Sequence, residues 1–208
     1  MSEELKQLRD QIDAIDNELL QLVSKRAGLA QQVGKIKKSG IVYRPEREAQ
    51  ILARMQEQNP GPVSNEHIKQ LFTEIMSLCR ALEKPMNVAY LGPNGTFSEE
   101  AALKRFGSAI TGVACDSIDD VFRMVESDAA NYGVVPVENS SEGAIGRTMD
   151  LLLQTPLTIC GEIQLPVHQF LMAQQTDLAH ISKIYSHPQS LAQCHHWLKT
   201  NLPHLPDS

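Results

Sequence analysis

Two positively charged side chains near the N-terminus could together hold a small anion. Arg26 and Lys37 are eleven residues apart, and eleven helical steps of about 100° return to within about 20° of the starting direction. On a helix they therefore share one face, about 16 Å apart along its axis. Because each side chain can lean toward the other, the gap between them suits a small anion with two carboxylates.

Arg26 also interrupts an apolar stripe whose alternating steps of three and four residues predict a long amphipathic helix. The stripe consists of Leu5, Leu8, Ile12, Ile15, Leu19, Leu22, Leu29, Val33 and Ile36. A buried charge without a partner is costly, so Arg26 requires either a carboxylate of the protein or a negatively charged ligand.

Four more charged residues belong to the same candidate site. Arg9 points about 100° away from Arg26, so we expect it to reach the site of a partner subunit. Arg47 and Glu48 lie in the first turn of the second predicted helix, and Glu83 continues the apolar face of the third. In one interpretation, Glu48 or Glu83 neutralises Arg26 in a structural salt bridge. In the other, the surplus of cations over carboxylates makes a pocket for a dianion.

Three helices must position these residues. The first is predicted over residues 3–38, the second begins at Pro45, a favoured first-turn residue, and the third follows a capping residue at Ser64 or Asn65. A first helix of roughly 36 residues would be about 54 Å long, which is far more than a compact domain of residues 1–85 can cover. We therefore expect residues 1–85 to be an all-α domain that forms a homodimer.

Residues 86–208 follow a different pattern, in which short apolar runs alternate with polar loops and helical segments. The runs MNVAYL, ITGVAC and YGVVPV are each followed by a polar loop and a helical segment, which is typical of an α/β fold with a largely parallel sheet. Ligands of such sheets lie where strands end and helices begin. Further strand-like runs, within 157–174 and near Ile184, predict a second lobe that looks incomplete, so we expect a longer natural chain.

The charge, the apolar runs and the cysteines of the sequence argue against several classes of function. The first part has 13 basic against 12 acidic residues and the second has 6 against 13, so nucleic acid is not an expected partner. No apolar run approaches about 18 residues and the N-terminus MSEEL is acidic, which argues against membrane spanning and export. Four scattered cysteines indicate reduced thiols in the cytoplasm. Consecutive residues Cys194 to His196 diverge on a helix, so no metal site is expected.

Two groups of motifs resemble known families. LRDQIDAIDNELLQLVSKRAGLAQQVGKIK, followed by RPEREAQIL, resembles the all-helical chorismate mutase family. AYLGPNGTFSEEAA, DSIDDVFRMVE, YGVVPVENSSEGAI and YSHPQ resemble prephenate dehydratase. In this order they are similar to the bifunctional chorismate mutase/prephenate dehydratase family of bacterial phenylalanine biosynthesis. The resemblance implies an intertwined three-helix mutase dimer over 1–85 and, over 86–208, a two-lobed dehydratase domain of the periplasmic-binding-protein type.

For the first domain, the resemblance implies a pericyclic rearrangement of chorismate to prephenate that needs no cofactor. Arg26 and the partner subunit's Arg9 would clamp the two carboxylates, and Lys37 would donate to the ether oxygen and to a carboxylate. Glu48 would accept a hydrogen bond from the substrate hydroxyl, and Arg47 would support the pocket.

Three residues depart from the family pattern. Glu83 stands where many relatives carry glutamine as a second donor to the ether oxygen. Since a carboxylic acid can donate a hydrogen bond and a carboxylate cannot, we expect mutase activity to fall as the pH rises and Glu83→Gln to flatten the profile. Arg44 and Cys79 stand where the best-known version has aspartate and serine, and those two roles are not transferred.

For the second domain, the resemblance implies decarboxylation of prephenate with loss of hydroxide, which needs a held carboxylate and a general acid. The candidates come from three polar loops, each of which alone is more typical of helix capping. They are Thr96 and Ser98, then Asn139, Ser140, Ser141 and Gly143, then Ser186, His187 and Gln189. His187 is either the acid or a structural residue before a proline. The family's Thr-Arg-Phe motif and its phenylalanine-sensing domain are absent from the sequence, so we expect neither dehydratase activity nor feedback inhibition from these 208 residues.

An alternative is a non-catalytic dimerisation stalk that carries a small-molecule-binding α/β module. Such a stalk needs no cation on its apolar stripe and would tolerate Arg26→Leu. An enzyme would lose activity in Arg26→Ala or Lys37→Ala while staying folded.

Overall fold

Three helices form the N-terminal part of the molecule. The computed structural model describes the chain over residues 3–36, 43–139, 143–174 and 177–205. The first helix is described as far as Ile36, and its predicted end at residue 38 lies outside the described residues. The next two helices begin as predicted. The helices are α1 (Glu3–Ile36), α2 (Pro45–Glu57) and α3 (Asn65–Glu83).

The starts of α2 and α3 follow local chemistry. Pro45 is the first residue of α2, where its missing N–H costs nothing. Ser64 precedes α3 in an extended conformation, and its hydroxyl accepts a hydrogen bond from the His67 N–H. This cap satisfies one of the N–H groups that have no partner within the helix, so the predicted boundary is confirmed.

α1 leaves most of its apolar stripe exposed in the single chain. It contains no buried residue, and it packs along α3. Stripe residues such as Ile12 and Ile15 are 56% exposed, and Leu22 is 62% exposed. A helix of 34 residues is about 51 Å long, so α3 covers only part of it. The expected homodimer would bury the remainder, and it stays a prediction.

A three-stranded parallel sheet forms the core of the second part. Its strands are β1 (Asn87–Leu91), β2 (Thr111–Cys115) and β3 (Tyr132–Val134), in the order β2-β1-β3. β1 is central, and Val88 and Ala89 are fully buried. The crossovers contain α4 (Phe97–Phe106) and α5 (Ile118–Glu126). The predicted α/β fold with a parallel sheet is confirmed.

A short hairpin and two helices complete the described elements. The strands β4 (Glu138–Asn139) and β5 (Gly143–Ala144) pair antiparallel. They are followed by α6 (Gly146–Gln154), a 3-10 turn at Leu178–His180 and α7 (Pro188–Asn201).

The prediction of strands after α6 is wrong for the residues that the structure describes. No strand forms within 157–174 or around Ile184 there. A strand needs a neighbour for its N–H and C=O groups, and these runs have none among the described residues. Their apolar side chains remain outside the core: Phe170 is 82% and Met172 is 89% exposed.

The linker between α1 and α2 contributes to the core of the α/β part. Tyr43 is buried with Met86, Val88 and Phe106 in one cluster. Its ring meets Phe106 edge-on with centroids 5.1 Å apart, and it meets Tyr132 at 5.3 Å. The helical part and the sheet are therefore packed together through a shared aromatic contact.

Candidate active site

Arg26 lies between α1 and α3, half-buried, as its place on the apolar stripe predicts. Its Nη1 donates to the Cys79 thiol sulfur at 2.8 Å and to the Ile75 carbonyl at 3.5 Å. Among the described residues no carboxylate lies within ion-pair distance of Arg26. Within one chain, therefore, neither Glu48 nor Glu83 forms the predicted salt bridge with Arg26 among the described residues.

Glu48 instead forms an ion pair with Arg80 of α3. The Arg80 Nη1 donates to Glu48 Oε1, and the two side chains are only 7% and 15% exposed. Sequence reasoning missed Arg80 because it considered only the face of α3 that carries Cys79. A second buried face, formed by Met76, Ser77 and Arg80, has the same helical spacing and was the available signal. Since Arg80 neutralises Glu48, this carboxylate does not balance the charge of Arg26 within one chain.

Glu83 lies on the same side of α3 as Cys79 and packs against Gly34 of α1. A Cβ atom at Gly34 would come 2.5 Å from Glu83 Cγ, so the Glu83 side chain in its present position needs a glycine at residue 34. We call the surface formed by Arg26, Gly34, Cys79 and Glu83 the α1–α3 groove. Near Glu83 it opens into a cavity of about 250 Å³ lined by Gln31, Gly34, Lys35, Leu82 and Glu83.

The other predicted chorismate contacts are dispersed in the single chain. Arg9 is exposed on α1, seventeen residues and about 26 Å before Arg26. Arg47 is exposed on α2. Lys37 lies outside the described residues. Arg44 precedes α2, where its carbonyl accepts from the Glu48 N–H at 3.1 Å. Arg9 and Arg26 can therefore meet only across two subunits.

Thr96 and Ser98 lie where β1 gives way to α4. The Thr96 hydroxyl donates to the Leu91 carbonyl at 3.0 Å and accepts from the Glu99 N–H at 3.4 Å, so Thr96 caps the helix. Ser98 is half-buried in the first turn. The capping interpretation therefore accounts for the contacts of Thr96.

Tyr90 and Glu99 fix the glycine-rich loop between β1 and α4. The Tyr90 hydroxyl donates to Glu99 Oε1 at 2.8 Å, and the Gly95 N–H donates to Glu99 Oε2. The bond from Gly95, followed by that from Tyr90, lowers the pKa of Glu99. Burial, followed by the bond to Glu99, raises the pKa of Tyr90 to about 12. At neutral pH the pair is thus a phenol donating to a carboxylate, which holds the loop in place.

A side chain of α7, the helix that follows the third candidate loop, contacts the second candidate loop. Asn139 pairs with Gly143 in the β4–β5 hairpin, and Gly143 has a φ of 76°, which favours glycine. Gln193 of α7 donates from Nε2 to Asn139 Oδ1 at 3.2 Å. Ser140 and Ser141, between these strands, lie outside the described residues.

Ser186 and His187 are exposed immediately before α7. The His187 carbonyl accepts from the Leu191 N–H at 3.1 Å, in the first turn of the helix. Gln189 is the second residue of α7. Gln189 thus lies at the start of the helix that the sequence predicts after this polar loop.

Parallel strand order brings the first two candidate loops to the same side of the molecule. The carboxyl ends of β1 and β3 lie at one edge of the sheet, so the loop with Thr96 and the hairpin with Asn139 both leave from that edge. A cavity of about 540 Å³ also opens there, lined by Gly92, Pro93, Asn94, Ala114, Cys115 and Asp116. Of the predicted prephenate residues that the structure describes, none lines this cavity.

The described residues contain neither a helix that could span a membrane nor a cluster of metal ligands. No helix there is long and apolar enough to cross a membrane. Nor do three or more His, Cys, Asp or Glu side chains gather there in an arrangement that could hold a metal ion.

Known families match the two parts of the chain separately. The family model for prephenate dehydratase matches residues 88–207, and the model for chorismate mutase type II matches residues 8–84. The solved chorismate mutase of Thermus thermophilus, in its form II, is 36% identical with a TM-score of 0.38, and the match covers 39% of this chain and 96% of that one.

Curated relatives match almost all of this chain. A bifunctional chorismate mutase/prephenate dehydratase of Pseudomonas aeruginosa is 48% identical over 209 residues, which are 97% of this chain and 57% of the relative. A protein of the same name from Neisseria gonorrhoeae is 49% identical over 196 residues, which are 94% of this chain and 54% of the relative. The chain thus spans a little over half the length of these relatives. It belongs to the prephenate dehydratase family and combines that segment with a chorismate mutase type II segment, the combination for which its bifunctional relatives are named.

Proposed function

We propose that the N-terminal helices convert chorismate to prephenate and that the α/β part contributes to the conversion of prephenate to phenylpyruvate. The observation that carries the first activity is the half-buried guanidinium of Arg26, which has no carboxylate partner among the described residues. Buried cations without a counter-charge are rare in folded proteins. A dianionic substrate in the α1–α3 groove supplies the missing negative charge.

The rearrangement of chorismate transfers no proton, so the protein need only hold the reactive conformer and stabilise the charge that develops on the ether oxygen. Arg26 can bind one carboxylate with two parallel N–H···O bonds. Its contact with the Cys79 sulfur, at 2.8 Å, uses one nitrogen and helps to orient the guanidinium. Lys37 donates to the ether oxygen and a carboxylate, following the family resemblance.

A second subunit completes this site. In one chain Arg9 is about 26 Å from Arg26 along α1, so the second arginine of the clamp comes from the partner. The exposed stripe on α1 supports this assembly, because a row of side chains such as Ile12, Ile15 and Leu19, each more than half exposed, is costly to leave in water. We therefore propose an intertwined homodimer built on α1.

Glu48 and Arg47 serve the hydroxyl side of the substrate. The ion pair of Glu48 with Arg80 uses Oε1, and an ionised carboxylate can accept several hydrogen bonds. Glu48 can therefore accept from the substrate hydroxyl while Arg80 holds it. Arg47, one residue earlier and exposed in the single chain, supports the pocket from its rim.

Glu83→Gln is expected to remove the alkaline loss of mutase activity. A glutamic acid can donate to the ether oxygen only while protonated, whereas glutamine donates at every pH. The wild type is therefore expected to lose kcat/KM for chorismate as the pH rises, and Glu83→Gln is expected to keep it. Profiles from pH 5 to 9 for both proteins provide the measurement. Identical profiles would remove the assigned role of Glu83.

The dehydratase reaction needs a held carboxylate and an acid beside the leaving hydroxyl. The loop with Thr96 and the hairpin with Asn139 leave from one edge of the sheet. The helix α7, which follows the segment with His187, bonds to Asn139 through Gln193, which supports a prephenate site there. Buried free thiols at Cys79 and Cys115 fit a reducing compartment, and we place both reactions in the cytoplasm.

The loss of chorismate absorbance on addition of the purified chain tests the first activity. We expect turnover that is saturable in chorismate, with prephenate as product. A chain that leaves chorismate unchanged, although folded and dimeric, would instead be the dimerisation stalk.

A further inference from the structure

Arg80 connects three elements at the boundary between the helical part and the α/β part. It is 6% exposed. Its Nη1 donates to Glu48 Oε1 on α2, and its Nη2 donates to the Phe106 carbonyl at the end of α4. The guanidinium carbon also lies 5.1 Å from the centre of the Tyr43 ring. One rigid side chain thus contacts both parts of the molecule.

The two hydrogen bonds fix the guanidinium from opposite sides. Phe106 is the last residue of α4, so its carbonyl has no acceptor role within the helix and carries partial negative charge. The planar arginine fork cannot rotate its two Nη atoms independently. The position of the end of α4 therefore determines where Nη1, and with it the Glu48 carboxylate, is held.

Stability alone does not account for this arrangement. Buried ion pairs are seldom more stabilising than apolar residues of the same volume. In addition, the Arg80 Nε is buried with no hydrogen-bond partner in the described part of the chain, which is unfavourable.

The end of α4 is itself closely seated on α3. The Ser77 hydroxyl accepts from the Ala109 N–H at 3.1 Å, and the Glu74 carboxylate accepts from the Ser108 N–H at 3.1 Å. A Cβ atom at Gly107, where φ is 78°, would lie 2.4 Å from Ser77 Cβ. Glycine thus permits the contact that places the Phe106 carbonyl beside Arg80.

We propose that Arg80 is a positioning residue that holds Glu48 for chorismate and makes the mutase site depend on the docking of α4 from the α/β part. This inference rests on the proposed mutase function. It assigns to the α/β part a role in the first reaction, in addition to its own.

A double-mutant cycle on Arg80 and Glu48 tests the first half of the proposal. Arg80→Met and Glu48→Gln are each expected to lower kcat/KM for chorismate by about tenfold or more, and the double variant to be no worse than Glu48→Gln within about twofold. Arg54→Met, an exposed arginine of α2, is the matched control and should keep wild-type kinetics. Thermal melts confirm that each variant is folded at the assay temperature.

Three outcomes of the cycle overturn the proposal. Losses that multiply in the double variant would show that Arg80 acts independently of Glu48. A harmless Glu48→Gln would leave Arg80 nothing to position. An inactive wild type would refute the mutase function itself, which the wild-type assay separates from the other two outcomes.

Gly107→Ala tests the second half without changing any residue of the helical part. The new Cβ should displace the end of α4 and lower mutase kcat/KM severalfold in the wild type, but not further in Arg80→Met. Gly95→Ala is the control, because Gly95 also has a positive φ, of 83°, but a Cβ there meets open space. Unchanged mutase kinetics in folded Gly107→Ala, or an equal loss in Gly95→Ala, would contradict the coupling.

Discussion

Arg26→Ala is expected to lower kcat/KM for chorismate by at least about a hundredfold while leaving the chain folded. The guanidinium supplies charge to both the bound carboxylate and the transition state, in a groove that is partly shielded from water. Its contacts within the protein are a thiol and one carbonyl, so its removal should change the free energy of unfolding by no more than about 1 kcal/mol. Steady-state kinetics and a urea melt measure the two effects separately.

Lys25→Ala is the matched control for this variant. Lys25 precedes Arg26 on α1 and is exposed, so it loses the same kind of charge about 100° around the helix. It should retain wild-type kinetics. Equal activity in Arg26→Ala and Lys25→Ala would show that the groove does not bind the substrate.

Ile15→Asp is expected to convert the dimer to a monomer and to abolish mutase activity. In the single chain Ile15 is 56% exposed, so an aspartate there is tolerated. In the proposed dimer the partner would cover the stripe that includes this position, where an unpaired carboxylate is strongly unfavourable. Light scattering and kinetics should therefore change together, because a monomer lacks the second subunit's Arg9.

The same charge placed off the stripe provides the comparison. Asn17 is exposed and lies about 200° from Ile15 around α1, so Asn17→Asp should remain dimeric and active. A dimeric, active Ile15→Asp protein would place the subunit contact elsewhere.

Local sequence chemistry predicted most of the helical part. Pro45 and Ser64 mark helix starts because a missing N–H and a capping hydroxyl act within one turn. The apolar periodicity of α1 likewise predicted a helix too long for its own domain to cover. These features depend on neighbours within about four residues, which a sequence displays directly.

Contacts between distant residues could not be predicted in this way. One interpretation of the sequence paired Arg26 with Glu48 or Glu83, yet the partner of Glu48 is Arg80, 32 residues away. Tyr43 belongs to a linker by sequence but packs against Phe106 and Tyr132. Both outcomes depend on how α3 and α4 dock, which local pattern does not determine.

The strand predictions after α6 failed for a related reason. The run around Ile159 has strand-like composition, but composition reports only compatibility with a sheet. Whether a strand forms depends on a neighbour to pair with, and Ile159 remains 71% exposed. The loop between β1 and α4 was located correctly, because a strand, a loop and a helix follow one another there as predicted.

In the proposed dimer each mutase site is built from two copies of the chain, with Arg26 from one copy and Arg9 from the other. Mixing two inactive variants tests this arrangement most directly. Arg9→Ala and Arg26→Ala subunits are exchanged by mild denaturation and refolding, and heterodimers are verified with two affinity tags. In a symmetric dimer, each heterodimer regains one site with both arginines intact, so random exchange should restore about a quarter of wild-type activity. A verified heterodimer that is as inactive as its two parents would contradict the account.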